Sequence, residues 1–146
     1  MAEPDLYPHG ADDVEAVMVA WLTPLRKTGV TRAAGDELPF TLVRHITGSE
    51  ELFFADPVVS IHTLCDRALG DAAAAAEAQT THLRMLQLKN TIDWTIVLPN
   101  GREAAVDYVT VTESPHWEPY SDQILRKVGT YRIGLTYTDQ PGDYGS

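Results

Sequence analysis

The sequence predicts an α+β fold in which two helices pack on one face of a mostly antiparallel or mixed sheet of about five strands. Three observations carry that expectation. Apolar residues recur at helical spacing from Asp12 to Leu25 and again through the alanine-rich stretch that ends at Asn90. Between and after them, apolar and polar residues alternate, as strands with one buried face require. The resulting order is helix, two strands, helix, hairpin, strand, and two amphipathic helices can then cover one side of a single sheet.

Residues 1–11 carry Pro4, Pro8, Gly10 and acidic groups and read as an extended N-terminal arm, with Leu6 and Tyr7 as its adhesive points. A single domain is expected over 12–138. Its first helix opens on Asp12 and Glu15, spaced as a capping box, and Val14, Val17, Met18, Trp21, Leu22 and Leu25 share one face. Pro24 bends or ends this helix, and Gly29 is a natural stop. From Pro39 to Thr47 the period drops to two, with Phe40, Leu42 and Ile46 on one side and Thr41, Val43 and His45 on the other. The connection from Gly48 to Asp56 contains Leu52, Phe53 and Phe54. These three are expected to fold back onto the core, the alternative being a sticky tip for a partner.

The second strand, Pro57 to Leu64, leads through Ala68-Leu69-Gly70 to a long helix with Asp71 as its expected N-cap and five consecutive alanines in its first turns. Ala72, Ala75, Ala76, Leu83 and Leu86 share a face expected to seal the sheet. Met85 and Leu88 point elsewhere and are expected to meet a neighbouring subunit. Ile92, Trp94, Ile96 and Leu98 then alternate, Asn100-Gly101 supplies a hairpin turn, and Ala104 to Thr112 alternates again. Glu113 to Gln123 reads as a loop stiffened by Pro115 and Pro119, which presents Trp117 and Tyr120 either as docking groups or as a cover for the core. In the final strand, Leu125 to Thr138, Tyr131, Ile133, Leu135 and Tyr137 share a face, and 139–146 is a polar C-terminal tail.

Composition narrows the function. At 146 residues, 44% of them hydrophobic, the chain can bury a core without metals or disulfides. Eleven Lys and Arg against 21 Asp and Glu give a net charge of −10, which repels phosphate backbones and disfavours a nucleic-acid reader. Cys65 is the only cysteine, so no intramolecular disulfide or CxxC motif is available. There is no basic and apolar leader and no apolar run long enough to span a membrane, so synthesis and folding in the cytoplasm are expected. The five histidines, His9, His45, His62, His82 and His116, show no metal-ligand spacing, and neither a nucleophile elbow nor a phosphate-binding glycine loop occurs. No catalytic, metal or cofactor residues are assigned. Asp107 sits inside an apolar hairpin and is expected to be salt-bridged or edge-exposed rather than catalytic.

Four segments then carry a likeness: the first helix DDVEAVMVAWLTPL, the stretch LPFTLVRHITGSEE, the strand and helix DPVVSIHTLCDRALGDAAAAAEAQ, and the closing ESPHWEPYSDQILRKVGTYRIGLTYT. Together they span most of Asp12 to Thr138, and in order and phrasing they resemble the tail terminator proteins of long-tailed, non-contractile phages of actinobacteria. The resemblance implies a homo-oligomeric, hexameric ring at the head-proximal end of the virion tail. Such a ring caps the tail tube, stops its polymerisation and joins it to a head-side connector, while DNA passes through the lumen without specific binding. It implies no catalytic residues and no cofactor. The interface residues expected from the chain itself are Met85, Leu88, Phe53, Phe54, Trp117 and Tyr120. A connector or stopper subunit of the phage neck is the alternative, and a small enzyme with His45, His62 and Asp107 converging in a pocket is a third reading.

Overall fold

A computed structural model of the chain describes residues 12–33, 35–50, 53–90, 94–98 and 101–138. The expected arm (1–11), the tail (139–146), Leu52, Ile92 and the Pro99-Asn100 half of the hairpin turn lie outside the described residues. The elements are α1 (Asp13–Leu22), β1 (Thr28–Gly29), β2 (Phe40–Glu50), β3 (Phe54–Asp66), α2 (Asp71–Gln87), β4 (Thr95–Val97), β5 (Glu103–Glu118) and β6 (Ile124–Thr138). They form the expected α+β architecture around a six-stranded sheet of order β1-β2-β3-β6-β5-β4. The sixth strand is the two-residue β1, which pairs in parallel with Thr41 and Leu42, while every other pairing is antiparallel. Two residues carry no periodicity, which is why this strand is absent from the sequence pattern.

α1 begins as its sequence requires. Asp12 Oδ1 accepts from the Glu15 amide at 2.8 Å and Glu15 Oε1 accepts from the Asp12 amide at 3.1 Å, closing the capping box. Thr23 follows as the C-cap, one residue before Pro24. The helix is more buried than one apolar stripe implies, since Ala16 and Val19 are covered along with the expected Val14, Val17, Met18, Trp21 and Leu22.

Directly paired residues of antiparallel strands put their side chains on the same side of the sheet. One side therefore carries Val43, Val59, Ile61, Tyr131, Ile133, Leu135 and Tyr137, all buried in one core with the α1 side chains, Met85 and Leu88. Both helices lie here. Thr63 on β3 donates to Thr81 on α2, and His82 Nδ1 lies 2.7 Å from the Tyr131 hydroxyl. Trp21 joins the helices: its indole N–H donates to the Arg84 carbonyl at 2.8 Å, Arg84 Nε donates back to the Trp21 carbonyl at 3.0 Å, and the guanidinium stacks 3.7 Å from the ring. Arg26 joins α2 to β2 through Thr81, Thr41 and a 2.7 Å ion pair with Glu77.

These contacts fix the rotation of α2 and reverse its expected faces. The inward residues are Ala74, Ala78, Thr81, Met85 and Leu88, with Met85 and Leu88 fully buried. Of the residues expected inward, Ala72, Ala76 and Leu83 face outward, Leu83 being 49% exposed, while Ala75 and Leu86 are half-buried. Met85 and Leu88 are thus not left over for a neighbour, because this chain's own core covers them. The helix N-cap is Gly70, with φ of 91°, rather than Asp71, and Asp66 instead caps the short 3₁₀ turn that precedes it.

β6 lies between β3 and β5 and is paired on both sides. Three register shifts mark β5, between Val106 and Tyr108, Val111 and Glu113, and Glu113 and His116. They let the strand continue through Pro115, which cannot donate to a ladder, as far as Glu118. The first half of the expected loop, through Glu118, is therefore strand, only 119–123 are not, and Trp117 sits in the ladder opposite Lys127. Bulges also blunt an edge strand against pairing with another chain, and among the described residues β4 covers β5 only at residues 103–105.

Candidate functional site: two sheet ends and a helix flank

Exposed apolar side chains gather at opposite ends of the long strands. At the end where β3 begins and β6 finishes stand Phe53 at 46%, Phe54 at 58% and Tyr108 at 41% exposure. The Phe53 carbonyl accepts from the Tyr137 amide at 2.8 Å, so the backbone there is tied to β6. The rings nonetheless point away from the core, against the expectation that they fold back. The ends of β2 and β3 approach closely, since Gly48, at φ of 112°, faces β3 so nearly that a Cβ would come within 2.4 Å of the Asp56 carbonyl oxygen. With β2 and β3 held that close, Phe53 and Phe54 are carried out at the tip.

At the opposite end stand Trp117, Tyr120 and Leu69, all substantially exposed. Lys127 Nζ lies 4.9 Å from the centre of the Trp117 ring, and the Arg126 guanidinium lies 5.3 Å from that of Tyr120. Arg126 also donates to the Pro119 carbonyl at 2.6 Å and lies 3.7 Å from Glu118. One arginine thereby fixes the bend that presents both aromatic residues. A cleft of about 390 Å³ lies between these rings, Arg67 and Asp71. A neighbouring cleft of about 650 Å³ is bordered by Arg32, Arg67, Asp66 and Asp122, with like numbers of positive and negative groups and no nucleophile beside a base.

Between the ends, the outward side of α2 offers Ala72, Ala73, Ala76, Gln79, Thr80, Leu83 and Gln87, an uncharged strip on a chain of net charge −10. The charged residues of this helix beyond Asp71 turn away: Glu77 to Arg26, and Arg84 onto Trp21.

The titratable groups on the helix-free side are engaged with one another. His62 Nδ1 faces Arg126 at 3.4 Å and Nε2 faces Ser60 Oγ at 2.8 Å, an arrangement that suits a neutral ring accepting at Nδ1. Burial and the adjacent Arg126 push its pKa down to about 4, with Glu118 opposing and Arg44 adding to the depression. His116 is the converse. Its ring nitrogens face the Ser114 carbonyl, Glu113 and Glu118, all acceptors, and hydrogen bonds to Ser114 and Glu118 raise its pKa. His45 lies on the helix side, 2.9 Å from Asp12 at the start of α1. Asp107 is exposed and accepts from the Thr136 hydroxyl at 2.6 Å, as the edge position expected for it. His45, His62 and Asp107 therefore do not meet.

No protein-family model matches the chain, and no curated protein matches it. Among the described residues, no cluster of three or more His, Cys, Asp or Glu is placed to hold a metal ion, and no helix is long and apolar enough to cross a membrane. Burial raises the Cys65 thiol to about 11, which suits a core position rather than a nucleophile.

The residues that sequence reasoning missed are Tyr108, Arg126, Arg132 and Gly134. Gly134 carried a usable signal, since a glycine inside an alternating strand marks a close approach. Here a Cβ would fall 2.0 Å from a ring carbon of Tyr108.

Proposed function

We propose that this chain is a ring-forming structural subunit at the head-proximal end of a phage tail, a tail terminator that caps the tube and joins it to the head-side connector. The observation that carries the reading is the placement of exposed aromatic groups at both ends of strands 13 and 15 residues long, roughly 45 Å of rise, with an uncharged helix strip between them. A subunit that joins two different structures needs two separate docking ends. A closed ring also needs a lateral contact in which one patch meets a different patch on the next copy. The outer side of α2 supplies small, uncharged residues for one half of that contact. The excess of 21 acidic over 11 basic residues suits a lumen through which DNA passes without being held.

Solution mass together with negative-stain imaging, alone and mixed with tail tubes, tests the proposal. A ring with a central hole, six-membered as the resemblance implies, and decorating one end of the tubes is the expected result. A protein that stays monomeric at all concentrations and never appears at tube ends overturns it. Rings that bind the portal side but not the tubes would instead mark a neck connector.

A further inference from the structure

We propose that the cleft at the Phe53–Phe54 end, walled by Phe54 and Tyr108 and floored by Gly134, takes the cationic side chain of a basic protein segment, with Asp107 as its counter-charge. The cleft has a volume of about 260 Å³, and its polar lining comes from Ser49, Asp56 and Asp107. That is below the roughly 300 Å³ at which small-molecule pockets begin, so it suits one inserted side chain rather than a cofactor.

The sequence builds this cleft in three steps. Val106 pairs with Leu135 and Tyr108 with Gly134, so Asp107 is the extra residue of a bulge and stands out of the ladder. Because residue 134 has no Cβ, the Tyr108 ring can lie directly against the β6 backbone. The Tyr108 hydroxyl then donates to Asp56, whose other oxygen is held by Arg132 at 2.6 Å. This fixes one aromatic wall and neutralises one of the two carboxylates.

Asp107 differs from Asp56. It accepts one hydrogen bond, from Thr136, and among the described residues it forms no ion pair. A carboxylate has about four acceptor positions, so most of its capacity faces the cleft and solvent. An anion is repelled by this lining, and a neutral group leaves the charge unmatched. A cation is attracted by the carboxylate and by the aromatic lining of the cleft. A guanidinium fits better than an ammonium, since it is planar, stacks on aromatic faces and binds a carboxylate through two N–H groups. The ligand belongs to a protein because the lining Phe54 and its chain neighbour Phe53 are both exposed and offer apolar contact to the segment that carries the cation. This inference needs only the chain itself and does not rest on the tail reading, so an absence of rings leaves it standing.

Titrating the full-length ¹⁵N-labelled protein with an acetylated Gly-Arg-Gly amide, and with the same peptide carrying uncharged citrulline, tests it. Saturable amide shifts at Phe54, Asp107, Tyr108 and Gly134 are expected with the arginine peptide, and binding at least about tenfold weaker with citrulline, the usual value of one charged hydrogen bond. Asp107→Asn keeps an acceptor for Thr136 and should weaken the arginine peptide by about tenfold. Phe54→Leu, at an exposed position that does not threaten folding, should weaken it by about threefold. Equal binding of the two peptides, shifts confined to other carboxylates, or an Asp107→Asn protein that binds like the parent would each overturn the proposal.

Discussion

His62 and His116 share a sheet row through Val128, yet their pKa values shift in opposite directions, because burial and then Arg126 lower that of His62 while hydrogen-bond acceptors raise that of His116. A donor, Arg126, faces the ring of His62, whereas the ring nitrogens of His116 face acceptors. For His62 the consequence for stability has a definite sign. Its folded pKa, about 4, lies below the unfolded value of 6.5, so between those limits the unfolded chain binds the extra proton. Stability from this residue is present above pH 6.5 and is lost as pH falls toward 4. Replacing His62 with Gln, which cannot take up that proton, should flatten the decline of Tm between pH 6.5 and 4 relative to the parent, while acid-induced loss from the carboxylates persists in both proteins. Parallel pH and Tm profiles for the two proteins would show that His62 does not carry this dependence.

At the scale of the element, α2 separates a core role from a contact role. Ala76→Glu with Leu83→Glu changes only outward positions and should leave the circular dichroism and cooperative melting intact while reducing the proposed ring to a monomer in solution. Met85→Glu buries an unpaired charge and should unfold the protein, at a cost of about 4 kcal/mol or more. If the double variant keeps the parent's oligomeric mass, the α2 flank is not a subunit contact. The same helix shows where sequence reading stops. Strand faces were legible because Tyr131, Ile133, Leu135 and Tyr137 contrast sharply with their polar neighbours, and α1 was legible from its capping box. In α2 the alanines fit either an inward or an outward position, so periodicity could not fix the rotation. Long-range contacts settled it, above all Trp21 against Arg84 and Arg26 against Thr81 and Glu77. The exposed aromatic residues were legible as candidates, but their direction depends on the crowding at Gly48 and on the Arg126 clamp, which link residues distant in sequence.

Over the whole molecule, the two aromatic ends stand a strand's length apart and differ in what surrounds them. Asp56 and Asp107 lie beside Phe54, whereas Arg126 and Lys127 back the rings at the other end. Groups so placed cannot serve one small partner together, so each end should fail independently. Phe53→Ser with Phe54→Ser removes exposed rings from a turn whose backbone is held by the Tyr137 amide, so the fold should be preserved. Trp117→Ser with Tyr120→Ser acts at the far end, where Arg126 still holds the Pro119 carbonyl. Exposed aromatic anchors of this kind typically contribute about 2 kcal/mol or more apiece to binding, so losing a pair should weaken one joint by at least about a hundredfold. On the proposed tail-terminator reading, each double variant should form the same rings as the parent and lose attachment on one side only, to the tube or to the head connector. Imaging of rings mixed separately with tubes and with heads would read this directly. Loss of both attachments from either variant would mean that the ends act as one surface, and retention of both would remove the aromatic groups from the joints.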